Sequence, residues 1–86
     1  MYTHQQIVDI VLTHLGKVDA TLKIHKDSDL GAMGLLDSLA SMEIYLYIEK
    51  QFDIKIPESE ITLDTLYSAS TIADLVIAHL PTEVAS

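Results

Sequence analysis

Ser38 is the residue best placed to do chemistry. It stands in the run Gly34-Leu35-Leu36-Asp37-Ser38-Leu39, where turn residues give way to a strongly periodic apolar pattern. That puts its hydroxyl at the lip of a helix N-terminus, beside a carboxylate and two leucines. As a catalytic nucleophile it lacks support. The run is not a Gly-x-Ser-x-Gly elbow, and no histidine is near in sequence. His4, His14, His25 and His79 could supply a distant base. A domain this small, however, rarely encloses a substrate pocket with a separate oxyanion hole, so the chain is not expected to be an enzyme. Taken alone, Asp37-Ser38 reads as an ordinary helix cap. The four histidines are scattered, without a His-x3-His pair, and no metal site is expected. His14, near the end of the first helix, would complement its dipole if protonated.

The elements that must position Ser38 are helical. Thr3 and Gln6 form a capping box ahead of Ile7, Val8, Val11, Leu12 and Leu15, with Gly16 as the expected stop. Residues 17–36 form a long connection rich in turn residues. Its apolar members (Val18, Leu22, Ile24, Leu30, Met33, Leu35, Leu36) are expected to pin it to the core. A loop of this length is often functional. A second helix is expected over residues 38–52, with Asp37 as N-cap and with Asp53 and Pro57 marking its exit. Pro57 suits the first position of a short helix reaching Ile61 and Leu66, with Glu58 and Glu60 near its positive end. A last helix is expected over 71–80, capped by Ser70 or Thr71, with Ile72, Leu75, Val76 and Leu80 as its stripe and Pro81 ending it. Residues 52–56 alternate briefly but have no partner strand. The expected fold is all-α: a small four-helix bundle of three longer helices and one short helix, with a long loop between the first and second. Residues 1–81 form the domain and 82–86 a flexible tail.

The second helix carries two apolar faces. At about 100° per residue, Ile44, Tyr45, Ile48 and Phe52 fall on one side with Ser41. Leu39, Met42 and Leu46 gather on another, next to Ser38 and flanked by Glu43 and Glu49. Either the long loop covers this second patch, or it is a partner surface with an apolar centre and an acidic rim. Met42 suits the latter, since its thioether adapts to differently shaped partners.

Composition narrows the partners. Thirteen acids against five lysines, with no arginine, give a net charge of −8. Such a chain is ill suited to nucleic acid or to an anionic membrane surface, and it favours partners with basic faces. There is no cysteine, so any thiol the protein uses must be attached to it. No apolar run is long enough to span a bilayer, and the first residues lack the features of a signal peptide. A monomer in the cytoplasm is the expectation.

Beyond the dipeptide, the chain resembles the acyl and peptidyl carrier protein family, the phosphopantetheine-binding carriers. Asp29-Leu30 followed by Gly34-Leu35-Leu36-Asp37-Ser38-Leu39 looks like that family's approach to its second helix. Met42-Glu43-Ile44, Ile48-Glu49, Phe52 and Ile56-Pro57 look like the helix and its exit, and Thr71-Ile72 with Leu75 like the last helix. The resemblance implies that a phosphopantetheinyl transferase attaches 4′-phosphopantetheine, taken from coenzyme A, to the Ser38 hydroxyl, with Mg²⁺ on the transferase side. The arm's thiol would then hold acyl or aminoacyl cargo as a thioester. Asp37 would meet a basic group on the transferase, and Asp37, Leu39, Met42, Glu43, Leu46 and Glu49 would form the partner surface. The implied partners are the transferase, an adenylating acyl or aminoacyl ligase, and a downstream transferase or synthase.

Within the family, Gly34-Leu35-Leu36-Asp37-Ser38 and the ungapped stretch 56–72 look closest to D-alanyl or stand-alone aminoacyl and peptidyl carriers. Fatty-acid carriers usually have an acid two residues after the serine, where this chain has Ala40. They often have three late acids where this chain has Glu49-Lys50-Gln51. Tyr45 would narrow an acyl pocket. The expected cargo is therefore aminoacyl or short, in a dedicated pathway. The alternatives are a fatty-acid or polyketide acyl carrier and, from another class, an unmodified helical adaptor.

Overall fold

Three α-helices form the protein, in a computed structural model that describes residues 2–18 and 23–80, apart from the side chains of 17 and 18. Their order is α1 (His4–Val18), α2 (Ser38–Phe52) and α3 (Ala69–His79), with a single 3-10 turn, Glu58–Glu60, between α2 and α3. Among the described residues there is no strand, and no helix is long and apolar enough to cross a membrane. The fourth helix of the expected bundle is thus only this turn. The expected tail at 82–86, Pro81 and Leu22 lie outside the described residues.

α1 opens with the reciprocal cap read from the sequence. The Gln6 N–H donates to Thr3 Oγ1 at 3.1 Å, and the Thr3 N–H donates to Gln6 Oε1 at 2.9 Å. Gly16 does not stop the helix, which runs on to Val18. Gly16 lacks the positive φ of a left-handed cap, and its cost inside a helix, about 1 kcal/mol, is outweighed by packing. Ile7, Val8, Val11 and Leu15 are all buried. They face α3, where the fully buried Ala69 and Ala73 let the two helices approach closely.

α3 begins two residues before the expected start. Ser68 is the cap, and its buried hydroxyl accepts the Thr71 N–H at 3.2 Å while Thr71 Oγ1 accepts the Ser68 N–H at 2.9 Å. Ser70 and Thr71, the expected caps, are already inside the helix. The stripe Ile72, Leu75 and Val76 is buried as expected, and Leu80 is half-buried. His4 ties the start of α1 to α3, its Nε2 lying 3.2 Å from Ser70 O and 3.0 Å from Asp74 Oδ1. His79 Nε2 lies 2.8 Å from Glu60 Oε1 and ties the far end of α3 to the 3-10 turn.

The short helix expected between Pro57 and Leu66 shrinks because threonines compete for the backbone. Thr62 Oγ1 accepts the Thr65 N–H, Thr65 Oγ1 accepts the Thr62 N–H, and Thr65 Oγ1 also donates to Glu60 O. These local bonds satisfy the groups a helix would have used. Pro57 stands just before the turn rather than inside it.

The connection leading to α2 is pinned, as its apolar residues imply. Leu30 is fully buried, a contribution of about 1.5–3 kcal/mol. Its N–H donates to Tyr67 O at 2.8 Å, and the Ser70 N–H donates to Lys26 O at the same distance. Ile24, Met33, Leu35 and Leu36 pack on the core from outside. Gly34 turns the chain at φ +77°, a conformation costing an L-residue about 1–2 kcal/mol. Nothing lies near the position its Cβ would take, so Gly34→Ala tests the backbone alone. It is expected to cost about 1 kcal/mol net of the stiffer unfolded chain. The melting midpoint, followed by circular dichroism, should fall by about 4–8 °C. An unchanged midpoint would refute the conformational role.

Candidate functional site

Asp37 and α2 place Ser38. The Asp37 side chain accepts the Ala40 N–H at 2.8 Å, and its carbonyl accepts the Ser41 N–H at 2.9 Å. Among the described residues the Ser38 and Leu39 N–H groups remain without a hydrogen bond. Ser38 itself is exposed. Its hydroxyl therefore sits in solvent beside two unsatisfied donors at the positive end of a fifteen-residue helix, surroundings that favour a phosphate.

Ser38 also lies on an open groove of about 410 Å³, lined by Ser41, Met42, Tyr45 and Leu46 of α2 and by Glu58 and Ile61 beyond it. Tyr45, expected on the core side, is half-buried with its ring along the groove, and its hydroxyl donates to Ile56 O at 3.2 Å. Burial pushes the Tyr45 phenol above its ordinary value, and the Glu49 and Glu58 carboxylates push it the same way. The phenol stays protonated and keeps donating.

The second apolar face is bare. Leu39, Met42 and Leu46 are 68%, 57% and 53% exposed, while Ile44, Ile48 and Phe52 are buried beneath them. Among the described residues, Ile24, Leu30, Met33, Leu35 and Leu36 of the long loop pack on the core, and the patch is left bare. Met42 and Leu46 share the groove with Ser38, whereas Leu39 lies outside it. The acids separate in role. Asp37 and Glu43 are exposed, but Glu49 is half-buried and its Oε2 accepts the Ile56 N–H at 2.9 Å. Together with Tyr45 this fastens the exit segment to α2, after Asp53 has turned it at φ 52°.

Glu58 and Ile61 were not among the expected site residues. Pro57 was the available signal: it breaks the chain just where the segment folds back past α2. Elsewhere the His4, His14 and His79 rings make structural contacts. His14 stacks on Tyr47, ring centroids 3.8 Å apart, about one turn before the end of α1. No cluster of three metal-ligating side chains occurs among the described residues.

The phosphopantetheine attachment site family matches residues 5–78 of this sequence. The chain belongs to that family. It is thus a carrier protein, one that holds cargo on a covalent 4′-phosphopantetheine and leaves the catalysis to other enzymes, which sets the adaptor reading aside. The residues at the start of α2 fit such a group: they offer an exposed hydroxyl with unbonded N–H groups beside it. Among relatives, the D-alanyl carrier protein of Leuconostoc mesenteroides is 38% identical over 60 residues, 70% of this chain and 73% of that one. The D-alanyl carrier protein of Leuconostoc citreum is 33% identical over 74% of this chain and 78% of its own. An acyl carrier protein from Amoebophilus asiaticus is 41% identical over 66% and 69%. No solved structure gives a significant match. Carriers of this kind work with ligases and transferases.

Proposed function

We propose that the carrier takes its 4′-phosphopantetheine on Ser38 and serves an aminoacyl group, with residues 1–81 as the working domain. The observation that carries this is the Ser38 hydroxyl, exposed at the start of α2 and opening onto the groove. In the transfer, Ser38 Oγ attacks the phosphorus that carries the pantetheine of coenzyme A. The phosphoanhydride bond to the adenosine bisphosphate breaks, and the hydroxyl proton passes to a base on the transferase. The helix N–H groups beside Ser38 then stabilise the phosphodiester charge. Once attached, the arm supplies a thiol for a thioester, which the cysteine-free chain lacks.

On this reading Asp37 meets the basic face of the transferase, and Leu39, Met42 and Leu46, with Glu43 at the rim, meet the ligase. Glu49 adds charge there, although one of its oxygens is spent on Ile56. A monomer in the cytoplasm goes with this, since coenzyme A and ATP supply the arm and the activated cargo there. An aminoacyl cargo is favoured by the D-alanyl carrier relatives and by a groove that is open rather than an enclosed apolar tunnel.

The cargo is tested by presenting the modified carrier, with ATP, to a D-alanine-activating ligase and, separately, to a synthetase supplied with a long-chain fatty acid. Intact mass should show loading at least about tenfold faster with the amino acid, a preference of about 1.4 kcal/mol. Faster loading with the fatty acid would install the acyl-carrier reading in its place, the one favoured by the Amoebophilus relative.

A further inference from the structure

Glu58 is the carboxylate that lines the groove, and the Asp37, Glu49 and Glu60 carboxylates next to lining residues or along the same elements are engaged, Asp37 by the Ala40 N–H. Glu49 accepts the Ile56 N–H at 2.9 Å, and Glu60 lies 2.8 Å from His79 Nε2. Glu58 is exposed and lines the groove itself, and its carboxylate has no hydrogen bond or ion pair among the described residues. The remaining lining is apolar (Met42, Leu46, Ile61) or hydroxyl-bearing (Ser41, Tyr45). A neutral or fatty cargo has no use for a carboxylate there. A small cargo with a free ammonium does.

We propose that Glu58 holds the ammonium of an aminoacyl cargo in this groove, which makes it the residue that matches the carrier to amino acids. The inference rests on attachment of the arm at Ser38. Ser38 and Glu58 line the same groove, so the arm starts where its cargo is to dock. Tethering at short range gives an effective concentration of about millimolar. A weak contact is then populated without being permanent, which suits a cargo that must be released to a downstream enzyme. Ser38 to Leu46 covers about 12 Å of helix at 1.5 Å per residue, so the flexible arm reaches Glu58 by bending across the groove. The charge of Glu58 is already felt by Tyr45 across it. Tyr45, kept protonated, stays neutral and does not compete for the ammonium.

The test compares two loads that differ in that charge. The carrier is modified with alanyl-phosphopantetheine or N-acetylalanyl-phosphopantetheine from the matching coenzyme A thioesters, and intact mass confirms each product. Backbone amide shifts and thioester hydrolysis rates are then recorded. The alanyl form should show shifts at Ser41, Glu58 and Ile61 that the N-acetylalanyl form lacks. Glu58→Gln, an exposed change with no packing to lose, should erase them. It should also speed hydrolysis of the alanyl thioester about two- to fivefold, the range of an exposed ion pair, and leave the N-acetylalanyl rate unchanged. High salt should act as the substitution does. Equal shifts for both loads, or shifts that survive Glu58→Gln, would overturn the role of Glu58 while leaving the attachment site standing. Failure to obtain either loaded form on Ser38 would overturn both.

Discussion

Ser38→Ala is expected to abolish modification completely. Incubation with a promiscuous phosphopantetheinyl transferase, Mg²⁺ and coenzyme A should add a phosphopantetheinyl mass to the unaltered chain and none to the variant. The expectation is all-or-none because, on the proposed attachment, the oxygen removed is the one that forms the new phosphodiester. The substitution is also structurally mild. Ser38 is exposed, and its hydroxyl makes no hydrogen bond among the described residues. Asp37 continues to cap α2 through Ala40, and alanine is the best of helix formers. The melting midpoint should therefore hardly move, a change within about 0.5 kcal/mol, so loss of modification would be a chemical result and not an unfolding artefact. Ser41→Ala is the companion variant, because Ser41 is the other serine of α2 on the groove. It should retain full modification. A mass gain that survives Ser38→Ala, or one lost with Ser41→Ala, would move the attachment site and with it the reading of the groove.

What could be read from the sequence, and what could not, follows the range of the forces involved. The bounds of α2 were legible because local signals agree there: Asp37 is a strong cap, the apolar period is 3.6 residues, and Asp53 supplies the left-handed exit. The start of α3 was harder to read. Ser68, Ser70 and Thr71 are all capping residues, and only packing against α1 selects the one that buries Ala69. The stretch after Pro57 looked helical by pattern, yet the Thr62 and Thr65 hydroxyls capture its backbone. At the site, angular placement alone separated the two faces of α2. Whether the loop lay over Leu39, Met42 and Leu46 depended on where Leu30, Leu35 and Leu36 were spent, which is a question of tertiary packing. Glu58 and Ile61 lay beyond reach for the same reason. They join Ser38 only because the segment after Pro57 folds back along α2, and no local periodicity records that contact.

The exposed patch carries the second large effect. Met42→Asp and Leu46→Asp should each slow ligase loading by about 10- to 100-fold, the loss seen when an interface anchor is removed, with the melting midpoint nearly unchanged. The two expectations follow from one fact. Both side chains are more than half exposed in the free protein, so folding has little apolar burial to lose, while docking would bury them with Leu39 as the apolar centre of an otherwise acidic surface. A new carboxylate there is doubly unfavourable, because it must be desolvated against the partner and it removes the contact. Leu46→Ser separates these terms. It deletes the apolar group without adding charge and should retain part of the loss. Ile48, one turn along from Ile44 and only 1% exposed, provides the contrast: Ile48→Asp should unfold the protein, since a buried unpaired charge is among the most destabilising changes available. A large drop in melting midpoint for Met42→Asp would show that the patch is core in solution. Unchanged loading by both patch variants would place the enzymes elsewhere, on Glu43 and the α1 side of α2. Loss of loading with an intact fold would mean that the residues choosing the carrier's partners lie one and two helical turns beyond Ser38, the proposed attachment point.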